Sequence, residues 1–445
     1  MKGFADAAAL ESALALLHDA ELMEFVQEHQ HNYLYRADFM KEPMPGDADP
    51  ALMWELVSFV RRMAGRPTVR ELNKSQPIGR QCFWTATPEM IAGLNDIVSR
   101  SNPSAQLTQS LARLSTRPAI QQLALEELEA AGYRDGVDVE HEELREIVCD
   151  KRAPETPEER LFANARELIE EIEELASEPF NVELIAYMHE RLALDTKGLR
   201  VEPRPSPAPK TSVPSPPSDQ LLESIVAGCE NPCLWGPHPL FGALINADTI
   251  WVTPAFERFN GLMELLIRWR SYYAIGVPAL RFVPLSKMRL DWERRLVGPP
   301  DAPMRYGEAL VVSSFGVDST PYSQQMIHFL DRGLNRLERI VARTEEIGER
   351  CKHLIFEDRR LTLRQKQLLA DLVDNPLLVV DVGMYEKRFD IAASTARADL
   401  TRLVSLNFLL TEFSAKKQAF WLRPDISRVL ASRSAASTPA SSTQA

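Results

Sequence analysis

Apolar residues three and four positions apart recur along most of this chain, and this helical period constrains its fold more than any other feature. In residues 155–179 an apolar stripe runs through Leu161, Phe162 and Leu168, behind an acidic start that contains a proline. The apolar–polar alternation of strands is scarce. The sequence therefore predicts a mainly α fold.

Length and charge narrow the class of protein. With 445 residues the chain can hold two or three domains, and 45% hydrophobic and 26% charged residues are typical of a soluble globular protein. A formal charge of −12 argues against a protein that coats nucleic acid along its whole surface, but permits one basic module. Asp6 and Glu11 interrupt the apolar N-terminal segment, and no run reaches about 18 apolar residues. We expect a cytoplasmic protein without membrane contact.

The sequence predicts no metal site. The five cysteines form no regular framework; they are Cys82, Cys149, Cys229, Cys233 and Cys351. Cys229 and Cys233 could approach each other across one helical turn, but no second Cys/His pair lies nearby to complete a zinc site. Reduced, packed thiols are the expected state in a cytosol.

Composition divides the chain into regions. Residues 1–115 form a first helical region, and a second region covers residues 116–355. Within the second region proline crowds residues 201–220, which is typical of an exposed linker or of an elaborated loop. A helical module over residues 356–428 follows, and the polar residues 429–445 are typical of a disordered tail.

The C-terminal module is predicted to be a winged helix-turn-helix. Residues 361–375 begin with a threonine cap, and a second short helix follows. A third helix, for which the sequence predicts Ser394 as the cap, precedes two short strands around a turn at Lys416–Lys417. Three helices and a β-hairpin in this order are the elements of a winged helix.

The third helix of this module is a candidate DNA contact. Residues 358–428 contain twelve Lys/Arg and nine Asp/Glu, a net charge of +3 in a chain of −12. The candidate contacts are Ser394, Thr395, Arg397, Arg402, Lys416 and Lys417. Winged helices also dock proteins and dimerise. DNA, a protein partner and a second copy of the chain are therefore all candidate partners.

Short motifs occur in a fixed order in the middle of the chain. They are AGYRDG at 131–136, Gly198 and Arg200 in TKGLRVEP, Pro216–Pro217, His238–Pro239 and PAFERFNGL at 254–262. Together they resemble the Fic (Fido) family. The resemblance implies a helical bundle over residues 116–355, with a β-hairpin flap that includes Gly198 and Arg200.

The resemblance also implies the chemistry of the loop PAFERFNGL. Phe256, Asn260 and Gly261 are kept, whereas Pro254 stands where the family has its histidine, Arg258 its acid, Phe259 its first glycine and Leu262 its arginine. In the family this loop transfers AMP from ATP to a protein hydroxyl, with the histidine as general base and the acid as a Mg²⁺ ligand. Proline cannot accept a proton, and Arg258 would repel the cation. We therefore expect no catalytic residue in this loop.

The family's inhibitory signature is altered as well. Ala131 stands for its Ser/Thr and Asp135 for its glutamate, while Gly136 remains. A loop without catalysis places no demand on an inhibitory residue, so the two changes agree with each other. The interpretation is a catalytically degenerate Fic-fold protein with a regulatory role.

An active enzyme with non-standard residues is the alternative. His238, Glu257 or Glu264 would then act as the base of an AMP transferase, and ATP with Mg²⁺ would bind only if the pocket is retained. A narrower hypothesis concerns Arg258. Beside Asn260 and a helix N-terminus, its guanidinium could hold a nucleotide without turning it over.

Overall fold

Helices dominate the computed structural model, which describes residues 19–31, 34, 36–67, 83–199, 218–231, 238–252, 255–296, 320–376, 378–414, 417–423 and 425–430. The predicted mainly α fold is confirmed. The helices are α1 (Ala20–His31), α2 (Arg36–Phe39), α3 (Pro50–Ala64), α4 (Pro88–Ser101), α5 (Gln106–Leu114), α6 (Pro118–Arg134), α7 (His141–Val148), α8 (Pro157–Glu170), α9 (Ile172–Ser177), α10 (Val182–Ala193), α11 (Ser218–Glu230), α12 (Pro239–Val252), α13 (Asn260–Ala274), α14 (Leu285–Leu296), α15 (Thr320–Glu357), α16 (Leu363–Asp374), α17 (Val382–Phe389) and α18 (Ala393–Ser405).

The strands of the described residues form two small antiparallel sheets. β1 (Arg66–Pro67) pairs with β2 (Phe83–Trp84). The other sheet has the order β3-β5-β4 and consists of β3 (Val380–Asp381), β4 (Leu409–Ser414) and β5 (Lys417–Leu422). Among the described helices, none combines the length and the apolar character that a membrane crossing needs.

Side-chain caps explain where several helices begin. Thr87 accepts a hydrogen bond from the Met90 N–H at 3.2 Å, and Asn181 accepts one from the Leu184 N–H at 2.8 Å. Reciprocal capping boxes start α8, with Thr156 and Glu159, and α16, with Thr362 and Gln365. These oxygens satisfy N–H groups that have no partner within their own helix.

The start of α18 corrects one prediction. Ser394 lies in the first helical turn, and the cap position belongs to Ala392, which has no side-chain hydrogen bond. The carbonyl of Ala392 accepts from the N–H groups of Thr395 and Ala396, both within 3.0 Å. The helix therefore begins two residues earlier than a serine cap would place it.

The chain divides into two compact units. One comprises residues 1–105 and 123–334, and the other comprises residues 106–122 and 335–445. We call them the main unit and the C-terminal unit. The sequence-based boundaries at residues 115, 355 and 428 remain predictions.

In the main unit, α13 is the central helix. Every residue from Gly261 to Tyr272 is buried, and α12 and α9 are its principal neighbours. A helix buried on all sides needs apolar residues all round, which accounts for the apolar and aromatic run in the sequence. A smaller apolar cluster, which includes Val26, Phe39 and Met53, joins α1, α2 and α3.

The C-terminal unit places three helices beside the sheet of β3, β4 and β5. β4 and β5 form a hairpin whose register runs from Leu409 opposite Leu422 to Ser414 opposite Lys417. The core contains Leu368, Leu369, Leu372, Tyr385, Leu400, Leu403, Phe408 and Phe420. Of the predicted tail, only Val429 and Leu430 lie within the described residues, and Leu430 is buried in this core.

Candidate functional site

The end of α6 carries the residues of the predicted inhibitory signature. Gly136 adopts a φ of 80°, and the N–H of Val137 donates to the Gly132 carbonyl at 2.9 Å. Glycine accepts this left-handed conformation without a Cβ clash. This turn ends the helix and leaves Asp135 at its tip, with only 2% of its surface exposed.

Asp135 caps the start of α13. Its Oδ1 accepts a hydrogen bond from the Gly261 N–H at 2.7 Å, and its Oδ2 accepts one from the Leu262 N–H at 2.9 Å. These donors belong to the first turn of α13, where N–H groups have no helical partner and the helix dipole attracts negative charge. The carboxylate thus lies where a helix N-terminus would hold a phosphate.

The surroundings of Asp135 oppose its ionisation. Burial raises the pKa of this carboxyl to about 7, although the hydrogen bonds from Gly261 and Leu262 and the charge of Arg134 act in the opposite direction. The carboxylate of Glu264 adds a smaller repulsion. Near neutral pH Asp135 is therefore close to its titration midpoint.

Close packing leaves no room for a ligand between α6 and α13 at this point. A Cβ added to Gly261 would lie 2.5 Å from the Ala131 carbonyl oxygen and 3.1 Å from the Arg134 Cβ. Backbone therefore touches backbone where a phosphate would have to enter. Ala131, Asp135, Gly261 and Leu262 therefore lie together at this contact.

Phe259 is the residue before α13 and adopts a φ of 65° with a buried side chain. A non-glycine residue in this conformation carries a cost of about 1 kcal/mol or more. Burial of the ring offsets that cost. Phe259 stands where the resemblance implies a glycine, and the structure places its ring in the core.

Asn260 holds the loop together from within. Its Oδ1 accepts from the N–H groups of Ala255 and Phe256, at 3.0 and 2.9 Å, and its Nδ2 donates to the Phe256 carbonyl at 2.7 Å. The amide is therefore engaged with the loop backbone on both sides. In this geometry it shapes the loop and does not face a ligand.

Arg258 and His189 meet beside the loop. The imidazole of His189 stacks on the Phe256 ring, with centroids 4.2 Å apart, and its Nε2–H donates to the Arg258 carbonyl at 3.1 Å. The Arg258 guanidinium lies 5.1 Å from the Phe259 ring centroid and 3.4 Å from the Leu199 carbonyl. Burial lowers the pKa of His189, so the neutral ring is favoured.

Two of the three alternative bases are engaged elsewhere. Nδ1 of His238 accepts from the Leu240 N–H at 3.2 Å at the start of α12, and burial lowers its pKa. Glu264 forms an ion pair with Arg268 at 2.9 Å, and both side chains are buried. Glu257 is exposed.

A second buried carboxylate on α6, which the sequence did not single out, has the same function as Asp135. Glu127 accepts from Arg268 at 2.6 Å and from the Ser286 N–H at 2.7 Å, and it reaches the Lys287 N–H at 3.3 Å. Ser286 and Lys287 belong to the first turn of α14. Glu127 on α6 and Asp135 directly after its end therefore cap two helices.

Some predicted residues lie outside the described residues. These are Arg200, Pro216–Pro217, Pro254 and Lys416, together with the predicted β-hairpin flap beyond Leu199. Gly198 is described, and its φ is 93°. Among the residues that the structure describes, no group of three His, Cys, Asp or Glu side chains is placed to hold a metal ion.

The candidate DNA contacts lie on α18. Ser394, Thr395, Arg397 and Arg402 are exposed, and the Arg402 guanidinium donates to the Arg360 carbonyl at 2.9 Å. The opposite face is fixed by the buried Asp399, which accepts from Arg364, Gln365 and Tyr385. Of Lys417, only the backbone in β5 is described.

Comparison with known proteins finds similar solved structures. No protein-family model matches the chain, and no curated protein matches it. The chain is similar in structure to a crystal structure of a protein from Desulfovibrio desulfuricans G20. The match has 17% sequence identity and a TM-score of 0.43, and it covers 76% of this chain and 97% of that chain. The matched protein is a Fic family protein.

At this identity and TM-score, the match assigns no role to any residue.

Proposed function

We propose that this chain is a Fic-fold protein that has lost nucleotide transfer and acts as a regulator through a DNA-binding winged helix. The proposed loss of nucleotide transfer rests on the cap that Asp135 forms on α13. The two N–H groups that would hold a phosphate, those of Gly261 and Leu262, are already bonded to its carboxylate.

Charge and space both disfavour a nucleotide at this site. An ionised Asp135 would repel a phosphate, and a protonated Asp135 would still fill the same place. Moving it aside would not suffice, because the Ala131 carbonyl lies within 2.5 Å of a Cβ position at Gly261. The residues present therefore do not fit ATP with Mg²⁺.

Calorimetric titration with ATP, GTP, UTP and CTP, with and without Mg²⁺, tests this proposal. We expect no binding heat and no thermal stabilisation at millimolar nucleotide, because the anion site is filled by the chain itself. Binding by any nucleotide at micromolar concentration would contradict the proposal. It would favour the alternative, a Fic-type AMP transferase or nucleotide sensor. Titration of Arg258→Ala would then show whether the Arg258 guanidinium contributes to nucleotide binding.

The order of elements in the C-terminal unit supports the second half of the proposal. Three helices, a short strand and a hairpin follow one another as they do in a winged helix, in the order α16, β3, α17, α18, β4 and β5. α18 would be the recognition helix. Its buried face, with Ala396, Leu400 and Leu403, leaves Ser394, Thr395 and Arg397 exposed for phosphate or base contacts.

Arg397→Ala should weaken binding to a short fluorescent DNA duplex by roughly three- to tenfold and reduce the salt slope by about one counterion. The reason is the loss of an exposed cation on the proposed recognition helix. Fluorescence anisotropy at several salt concentrations measures both quantities. Arg343→Ala, which removes an exposed arginine of α15, is the matched control and should change neither.

A protein-docking or self-assembling role is the competing proposal for this unit. It is favoured if wild-type protein shows no salt-dependent DNA binding, or if Arg397→Ala and Arg343→Ala behave alike. Light scattering of the same samples then shows whether the partner is a second copy of the chain. A cytoplasmic location suits both roles.

A further inference from the structure

A turn in the C-terminal unit joins α15 to α16 and lies against α18. The Arg402 guanidinium of α18 donates to the Arg360 carbonyl of this turn at 2.9 Å. Arg359 is the preceding residue and is exposed, and consecutive Cα atoms lie about 3.8 Å apart. The turn therefore brings the Arg402 guanidinium next to the backbone that carries Arg359.

Two carboxylates near this turn are matched by arginines of their own. Asp358 accepts from the Arg360 N–H at 2.9 Å and from the Arg360 Nε–H at 2.8 Å. Asp399, on the buried side of α18, forms an ion pair with Arg364 at 3.1 Å. Neither carboxylate is therefore free to neutralise a further cation at full strength.

Arg359 and Arg402 are the cations of this surface that have no such match. Among the described residues, neither of them forms an ion pair with a carboxylate. The nearest other acid along the chain, Glu357, lies 3.4 Å from His353. Residues 357–366 together with residues 399 and 402 contain five Lys/Arg and three Asp/Glu. The surface thus has a net charge of +2, which favours an anion.

The exposed face of α18 continues this surface and carries no carboxylate. Apart from Arg397 and Arg402, the exposed residues of α18 are alanine, serine or threonine. The major groove of B-DNA is about 12 Å wide and admits an α-helix, and small side chains let the helix come close to the base edges. A helix in this groove has phosphates on either side of it.

We propose that Arg359 and Arg402 form a clamp on the phosphate backbone of duplex DNA, at the edge of the groove that α18 enters. This inference rests on the DNA binding proposed above and adds the turn between α15 and α16 to the contact surface. Guanidinium groups hold phosphate oxygens through pairs of N–H donors. Phosphates are alike in every sequence, so the clamp positions α18 and does not select bases.

The bond between Arg402 and the Arg360 carbonyl suits this role. A guanidinium has five N–H donors, so one bond to a carbonyl leaves donors for a phosphate. The carbonyl is neutral and does not cancel the charge of Arg402. It fixes the side chain before DNA arrives, which lowers the entropy cost of ordering it on binding.

Fluorescence anisotropy of the full-length protein tests the clamp with two labelled duplexes of about 20 bp, one AT-rich and one GC-rich, at several salt concentrations. Arg359→Ala should weaken binding to both duplexes by the same factor, roughly three- to tenfold, and reduce the salt slope by about one counterion. Arg343→Ala, an exposed arginine elsewhere on α15, is the matched control and should change neither quantity.

Arg402→Gln separates the charge of Arg402 from its hydrogen bond. Glutamine keeps an N–H donor for the Arg360 carbonyl but has no charge. This variant should also lower the salt slope by about one, and its combination with Arg359→Ala should lower the slope by about two. Arg359 is exposed, and Arg359→Ala should therefore keep the Tm of wild type.

The outcomes distinguish the clamp from DNA binding itself. If Arg397→Ala weakens binding while Arg359→Ala and Arg402→Gln behave like Arg343→Ala, DNA binding stands and the clamp is wrong. A loss on only one of the two duplexes would also overturn the clamp, because it would indicate a base contact. If wild-type protein shows no salt-dependent binding to either duplex, both proposals fail.

Discussion

Replacement of Arg268 by methionine should lower the free energy of unfolding by about 3–5 kcal/mol. The guanidinium lies between two buried carboxylates, 2.6 Å from Glu127 and 2.9 Å from Glu264. It also donates to the Ser286 hydroxyl at 2.6 Å. Without it, both buried carboxylates lose the cation that pairs with them in the folded state. Urea unfolding followed by tryptophan fluorescence measures the loss.

Two further variants separate the ion pair from the loss of volume. Arg332→Met, at an exposed position of α15, should stay within about 0.5 kcal/mol of wild type. Adding Glu264→Gln to Arg268→Met should recover part of the loss, because one of the two carboxylates that Arg268 paired with is then neutral. A loss below about 1 kcal/mol in Arg268→Met would show that the carboxylates find water or another partner.

The protein should lose stability as pH rises from about 4 to 7, and Asp135→Asn should lack this component. The folded pKa of Asp135, about 7, lies above the ordinary value of 3.8. Between these values the folded state holds a proton that the unfolded state releases. The contribution is therefore fully present below the ordinary pKa and lost as pH passes the folded pKa. Its size is on the order of a few kcal/mol.

Urea midpoints of wild type and Asp135→Asn at several pH values test this expectation. Subtracting one curve of midpoint against pH from the other cancels the contributions of the histidines and of the other carboxylates, which both proteins share. Asp138→Asn, three residues further along and exposed, is the control and should follow wild type. Parallel curves for wild type and Asp135→Asn would mean that Asp135 keeps one protonation state throughout.

The sequence predicted those features that depend on neighbouring residues. The helical period, the threonine cap at the start of residues 361–375, and the order of elements after residue 361 all rest on local patterns. The Ser394 cap was wrong by two residues, because Ala392 already provides the extended backbone and the carbonyl that a helix start needs. Helix ends are the least determined part of such a pattern.

The candidate site was predicted less completely, because its contacts join distant segments. The sequence placed Asp135 in an altered inhibitory signature, but its bonds to Gly261 and Leu262 cross more than a hundred residues. His189 carried no signal beyond a position on an amphipathic helix. From the sequence, Phe259 is a bulky residue in the place of a glycine. The burial that offsets the cost of its positive φ depends on the core around α13, which local sequence does not show.

The two caps of α6 also bear on when this protein can fold during synthesis. Asp135 bonds to Gly261 and Leu262, which are synthesised 126 and 127 residues later. Glu127 bonds to Ser286, which is synthesised 159 residues later. A nascent chain released only as far as α12 would expose both carboxylates with nothing to cap. Since closure of such long loops is slow, the main unit should complete its fold only after α14 has left the ribosome.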